Sequence, residues 1–450
     1  MAILTISTES SETGRNEFSR RKFLGRSSLS IGAIGAVGLP FLLAARAAAQ
    51  KRGAQPRNTS VVWLWLQGGA SPIETFDPKM SAPREYRSTS GEIPTTLPGV
   101  TFGSHFPKLA ALTDRLAVVR TFSHTQINHQ AGTHYVMTGY DNGVVDNSLG
   151  PQTRPAFGAI TSYARGALNP TNGVPIYISL IPENKIRIEH EGPAFLGAAN
   201  RAFHPFVESF GSMKLRVPAE RLSDRRALLA GLDRLSRDLD ASGQIDGLEA
   251  FRKQALNLVL GGARKAFDLQ NEDPQVVERY GKGFGERMLL ARRLCEAGCG
   301  FVTIKEGTWD FHGLSNNGTI VDGMNRKGPE LDQVVSTFIE DIYARNLQDD
   351  ILLVITGDFG RTPKINREGG RDHWPQVSTL AFSGGGLRMG QVIGESDTKA
   401  AFPTSEAFHP QDLMATLFHV LGIDLDLQAL DYSGRPVFLI ETGKPIKPLV

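Results

Sequence analysis

Short apolar runs alternate along the chain with polar, glycine-rich stretches and with segments of helical period. Ser60–Leu66 (SVVWLWL), Leu116–Arg120, Val174–Leu180, Gly300–Lys305 (GFVTIK) and Ile351–Ile355 are rich in Val, Ile and Leu. Runs this short, with little polar alternation, have the pattern of strands buried on both faces of a parallel sheet. Val377–Phe382, followed by Gly384-Gly385-Gly386, adds a last strand and turn. Helical spacing over Leu109–Arg115, Arg221–Leu239, Leu248–Asn257, Gly285–Ala297, Pro329–Arg345 and Met414–Leu421 predicts the elements between and around them. In the second of these, alternating Arg and Asp residues from Asp224 to Asp240 make i,i+4 pairs on a solvated face. Strands alternating with helices predict an α/β fold, a doubly wound, mostly parallel sheet with helices on both faces.

Each strand runs abruptly into a polar loop. Leu66 is followed by Gln67-Gly68-Gly69 and then Glu74 and Asp77. After Arg120 comes Ser123–His134, which carries three of the ten histidines (His124, His129, His134) together with Asn128 and Thr133. Lys305 leads to Asp310 and His312, and Ile355 to Asp358, Arg361, Lys364 and Asp372-His373-Trp374. Ligands of open α/β sheets collect beyond the carboxyl ends of the strands. Imidazoles and carboxylates from Asp310, His312, Asp358 and His373 therefore predict a metal site, suited to zinc, manganese or iron more than to calcium. Glu74 and Asp77 are possible additional ligands from the loop after the first strand. Arg361 either clamps an oxyanion or pairs with Asp358 or Asp372.

A chain of 450 residues can bury a large core. A net charge of +2, with no basic stripe interleaved with aromatics, argues neither for nucleic acid nor for a membrane surface as partner, and no nucleic-acid partner is expected. Residues 1–49 change the picture. Ser19-Arg20-Arg21-Lys22-Phe23-Leu24 is a twin-arginine pattern, followed by an apolar stretch from Ser27 to Leu43 and by Ala47-Ala48-Ala49. This reads as a cleavable export signal. The other reading, a membrane anchor, is opposed by Gly32, Gly35, Gly38 and Pro40. The expectation is therefore export by the twin-arginine machinery to the periplasm or beyond, with no membrane span in the mature protein. Residues 50–59 read as a linker and 60–450 as a single domain, with a loop-rich and helical insertion around 183–280. The aromatic part of that insertion is either a lid or a packed excursion. Cys295 and Cys299 read as two core thiols, since a bridge at that spacing needs the helix to break at Gly298.

The ordered motifs WLWLQGGASPIETFDPK, HTQINHQAGTHYVMTGY, TWDFHG, GDFGRTPKIN and GRDHWP resemble those of a family of twin-arginine-exported bacterial proteins, domain of unknown function 1501, related to the alkaline phosphatase and sulfatase superfamily. The resemblance runs from Val61 to the C terminus. It implies an alkaline-phosphatase-like α/β domain and, in active members, metal-assisted hydrolysis or transfer of phosphate or sulfate esters. It places Asp310, His312 and His373 as ligands of one metal. The second metal's set is incomplete, because the first strand ends in Gln67, Phe359 follows Asp358, and His129–Ala131 holds no hydroxyl or thiol where the nucleophile falls. The resemblance thus implies one main centre holding zinc or manganese and acting on a small anionic ester or a sulfated or phosphorylated polymer. His129 or His134 would serve as general acid or base and Arg361 would stabilise negative charge. Asn128 and Thr133 would contact substrate. The alternative expectation is a catalytically degenerate member that binds an extracellular anionic ligand or partner.

Overall fold

The computed structural model describes residues 58–143, 152–181, 190–206 and 263–450. The expected export signal, most of the linker, the helices at 221–239 and 248–257 and much of the insertion lie outside the described residues. The strands are β1 Ser60–Leu66, β2 Glu92–Pro94, β3 Thr101–Gly103, β4 Ala117–Val119, β5 Tyr177–Ser179, β6 Phe301–Glu306, β7 Ile351–Gly357, β8 Gly360–Arg361, β9 His373–Trp374, β10 Leu380–Gly384, β11 Gln391–Ile393, β12 Gln428–Leu430 and β13 Pro436–Phe438. The helices that frame the site are α1 His129–Thr138, α2 Phe157–Arg165, α3 Phe284–Glu296, α4 Ile320–Ala344 and α5 Pro410–Leu421.

Seven strands form one sheet in the order β11-β4-β10-β7-β1-β6-β5, and β2–β3, β8–β9 and β12–β13 are two-stranded ribbons. β5, β6, β1 and β7 run parallel, and β4 and β11 are parallel to each other. β10 is antiparallel to both its neighbours, so it alone runs against the other strands. The sheet is therefore mostly parallel, as the apolar runs predict. Every residue of β1 and of β7 is buried. A strand with both neighbours paired and both faces covered has no solvent side, which is why these two show no polar alternation.

The period-2 side-chain direction of β1 separates the two covering layers. Val62, Leu64 and Leu66 belong to a core with Met288, Leu289 and Leu294 of α3 and Val335, Phe338 and Ile339 of α4. Trp63 points the other way and meets Phe157 of α2 edge-on, with centroids 5.6 Å apart. The sheet is thus doubly wound.

Some boundaries differ from expectation. α4 begins at Ile320, well before Pro329, which lies inside the helix. The Thr319 hydroxyl oxygen accepts the Asp322 N–H at 3.1 Å and caps the start. The lost proline donor is one hydrogen bond, and the glycines of this turn fit tightly. A Cβ at Gly323 would lie 2.4 Å from the Phe311 ring, and one at Gly328 2.7 Å from His105. α5 starts at Pro410 rather than Met414, with proline in the first turn. Leu109–Arg115 splits into a helix, Pro107–Ala111, and a 3-10 turn, Thr113–Arg115. Cys295 and Cys299 are buried and unbridged.

β6, β1 and β7 are parallel neighbours in register, Leu66 lying beside Glu306 and Gly357. The loops that begin at Gln67, Gly307 and Asp358 therefore leave the sheet from one edge. Among the described residues, no helix is long and apolar enough to cross a membrane.

Candidate metal centre

Asp358, the first residue after β7, is fully buried. Its Oδ1 accepts the Gly68 N–H at 2.9 Å, and its Oδ2 accepts from His129 Nδ1 at 2.6 Å. It thereby ties the end of β7 to the turn after β1 and to the first residue of α1. Gly68 has φ +96°, and a Cβ there would sit 2.8 Å from the Asp310 Cβ. Glycine is needed here both for the backbone conformation and for the approach of the β6 loop.

Three imidazoles reach this edge, each with Nδ1 already engaged. His129 Nδ1 donates to Asp358, His312 Nδ1 to Asp372 Oδ1 at 2.7 Å, and His373 Nδ1 to the Ile127 carbonyl at 2.6 Å. Carboxylates and carbonyls only accept, so each Nδ1 carries a proton and the neutral ring presents a lone pair at Nε2. The three Nε2 atoms converge on Asp310 Oδ1, at 3.4 Å from His129, 2.8 Å from His312 and 3.2 Å from His373. His312 and His373 also bring their Nε2 atoms within 3.1 Å of each other. One ligand atom from each of the four residues lies within 4.8 Å of all the others.

Lone pairs aimed at one another and at a carboxylate oxygen cannot satisfy each other. A cationic species, proton or metal, has to lie among them. The electrostatics agree. Burial opposes ionisation of Asp310, yet hydrogen bonds from the three histidines and the charge of Arg361 hold it far below the usual carboxylate range. Burial likewise opposes the charged form of His129, but Asp310 and Asp358 outweigh it and push its pKa up to about 9. The Asp310 hydrogen bond raises His312. Burial lowers His373, against its hydrogen bond to Asp310. Three imidazole nitrogens and a carboxylate oxygen, with each ring fixed through its other nitrogen, fit a divalent transition metal of the zinc type.

Asp310, His312 and His373 thus meet at one point. The Nε2 of His129 lies with them, within 4.8 Å of the other three ligand atoms. Asp358 is outside the donor set and acts behind His129. Arg361 is not placed to clamp an oxyanion. It is 1 % exposed, and four of its N–H groups face Gly69 O (3.0 Å), Arg371 O (3.1 Å), Gly68 O and Asp310 Oδ1, while the fifth lies 3.4 Å from His312 Nε2, whose lone pair is the one turned to the cluster. Buried and held by these internal acceptors, it fixes Asp310 instead.

The remaining candidates lie away from the cluster. Glu74 is buried against Arg371 at 3.0 Å and accepts from Ser88 and Thr89. Asp77 pairs with Arg120 at 3.3 Å and Lys79 at 3.2 Å and accepts from Ser396. Neither carboxylate is a ligand in this arrangement. His134 is fully buried, its Nδ1 donating to the Tyr140 carbonyl at 2.7 Å and its Nε2 accepting the Thr153 N–H at 3.3 Å. It closes the end of α1 and does not face the cluster. Thr133 is buried within α1, and Asn128 occupies the N-cap position beside His129. Neither belongs to the donor set.

Several contributors escape a reading of residue types. The Ile127 carbonyl is a backbone group with no sequence signal. Asn366 donates to the His312 carbonyl at 2.8 Å and to Asp372 at 3.3 Å, holding the two loops together. Asp372 is visible only as the neighbour of His373, yet it serves His312.

Among solved structures, the chain is similar to the PsFucS1 sulfatase from Pseudoalteromonas sp., at 14% identity over 87% of this chain and 74% of that one, TM-score 0.41. It is also similar to the lipoteichoic acid synthase LtaP from Listeria monocytogenes (11% identity, 88% and 80% covered, TM-score 0.36). A third likeness is to the alkaline phosphatase of the Antarctic bacterium TAB5 (10% identity, 82% and 100% covered, TM-score 0.37). Likenesses this distant carry no functional inference. No protein of curated function matches the chain. Residues 58–450 match the family model described as "Protein of unknown function (DUF1501)", and the chain belongs to that family.

Proposed function

We propose that the protein holds one divalent metal, zinc or manganese, on His129, Asp310, His312 and His373, and that this centre hydrolyses phosphate or sulfate esters outside the cytoplasm. The observation that carries the reading is the convergence of three Nε2 lone pairs on one oxygen of Asp310, with each Nδ1 held by a fixed acceptor. Three imidazoles and a carboxylate favour zinc over calcium or magnesium. The twin-arginine pattern at Arg20-Arg21 supports export, and the motif resemblance supports anionic esters, small or polymeric.

When bound, such an ion supplies Lewis-acid polarisation of an ester oxygen and a more acidic water. The chain's own residues do the rest. Asp358, Asp372 and the Ile127 carbonyl keep each Nδ1 proton in place and aim Nε2 at the ion site; the two carboxylates also raise the basicity of their imidazoles. Arg361 holds the Asp310 carboxylate by charge and hydrogen bond. With neutral imidazoles, the carboxylates of Asp310, Asp358 and Asp372 and the Arg361 guanidinium leave a net charge that a divalent cation neutralises.

A second reading, a metal-containing protein that binds an anionic ligand without turning it over, is favoured by one observation. His129 is in the donor set, His134 is buried elsewhere and Arg361 is buried and directed at Gly68, Gly69, Arg371 and Asp310, so none of the three is placed for acid–base or oxyanion work. The full chain, loaded with zinc or manganese, can be assayed on aryl phosphate, phosphodiester and aryl sulfate. Turnover abolished by Asp310→Ala supports the hydrolase. No turnover above that variant, with metal-dependent binding of inorganic phosphate or sulfate retained, supports the binding protein.

A further inference from the structure

The donor set leaves one question of geometry open. The hydrogen bond at Nδ1 aims each Nε2, and contacts on the ring faces decide how firmly the imidazole planes are held at their mutual angle. Phe359, the residue after Asp358, is 1 % exposed and lies against two of the three imidazoles. Its centroid is 4.9 Å from His129 with the planes tilted by 36°, and 4.3 Å from His373 with a tilt of 34°. The two imidazoles are themselves 4.4 Å apart and inclined at 70°. The two tilts match the whole of that angle, as expected if the phenyl plane bisects it.

The ring is itself held. Ideal Cβ atoms built on the two flanking glycines would lie 3.0 Å from its Cδ2 at Gly69 and 3.1 Å from its Cδ1 at Gly132. Backbone therefore closes on both edges of the ring, and glycine is needed at both places because a Cβ would also lie 2.3 Å from the Phe359 carbonyl oxygen at Gly69 and 2.9 Å from the Asp358 carbonyl oxygen at Gly132. The Arg361 guanidinium carbon lies 5.7 Å from the ring centroid. A side chain gripped on its edges by backbone and in contact with two ligand rings cannot change orientation without moving them.

We infer that Phe359 is the positioning residue that sets the angle between His129 and His373, and through it the coordination geometry that the centre imposes on its ion. This rests on the metal reading above. Any apolar side chain of similar volume would fill the space; only a planar one holds both imidazoles at fixed tilts to one plane. Loss of a group that orients a metal ligand weakens binding roughly 10- to 100-fold.

Co2+ reports geometry directly, because its visible absorption depends on coordination number and symmetry. The full chain and its Phe359→Leu and Phe359→Met variants are titrated with Co2+, with metal-free unfolding followed in parallel to show that each is folded. Leu and Met keep most of the apolar volume, and the flexible Met follows the cavity if Leu does not. The expected result is a Co2+ affinity lowered about tenfold, with bands displaced or weakened, in whichever variant folds. Wild-type affinity and an unchanged spectrum in a folded variant overturn the role of Phe359 while leaving the metal reading intact. A wild-type chain that takes up no Co2+ at this cluster overturns the metal reading and this inference with it.

Discussion

Asp358 accepts from His129 Nδ1 at 2.6 Å across 229 positions of sequence, and its other oxygen takes the Gly68 N–H. A buried carboxylate thus fixes the ring of one proposed ligand and the turn beneath another with the same side chain. Asp358→Asn removes the negative charge and offers an amide in its place. Zinc affinity, measured by competition with a chromophoric chelator, is expected to fall about 10- to 100-fold with the fold retained. An unchanged affinity contradicts the orienting role.

The binding of metal is expected to displace protons. His129 has its pKa raised to about 9, so below that pH the metal-free cluster holds a proton where the ion belongs. The sign follows directly: affinity rises with pH up to about 9 and levels off above it, falling up to about tenfold per unit on the acid side for one proton displaced. Calorimetric titrations at neutral pH in two buffers of different ionisation enthalpy should show proton release. Identical heats in both buffers contradict it.

Arg361→Lys tests whether the guanidinium is a structural cation. An ammonium has three donors on a flexible stem and cannot reproduce the planar fork that serves Gly68, Gly69, Arg371 and Asp310. The buried acceptors left unpaired are expected to destabilise the protein by about 3 kcal/mol, read from the midpoint of urea unfolding. A midpoint at the wild-type value points instead to a guanidinium that is dispensable to the fold.

Gly68→Ala places a methyl group at φ +96° and against the Asp310 Cβ. Backbone strain alone costs about 1–2 kcal/mol, and relief of the contact must move Asp310. Both stability and metal affinity are therefore expected to drop. A loss of stability without a loss of affinity separates the turn from the site.

The sheet was legible because β1 and β7 are apolar for nearly all their length and β6 begins as an apolar run, an image of strands covered on both faces. Asp310, His312 and His373 were legible for a related reason, as polar residues where such strands stop. What sequence could not convey was direction. His129 and His134 stand five positions apart on one helix and so cannot share a face; α1 turns the first to the cluster and buries the second under Thr153. Arg361 has the residue type of an anion clamp, but the turn carbonyls of Gly68 and Gly69 take its donors. Glu74 and Asp77 have the residue type of ligands, yet Arg371 and Arg120 reach them first. Backbone acceptors such as the Ile127 carbonyl leave no trace in residue identity.

Metal content tests the central claim most directly. The purified full chain, exposed to equimolar zinc and manganese and then dialysed exhaustively, is assayed by plasma mass spectrometry beside a His312→Ala, His373→Ala double variant of unchanged secondary structure. About one zinc or manganese ion per chain in the wild type, with almost none in the variant, is the predicted result. Equal content in the two proteins, or none in either, contradicts a metal held by this cluster.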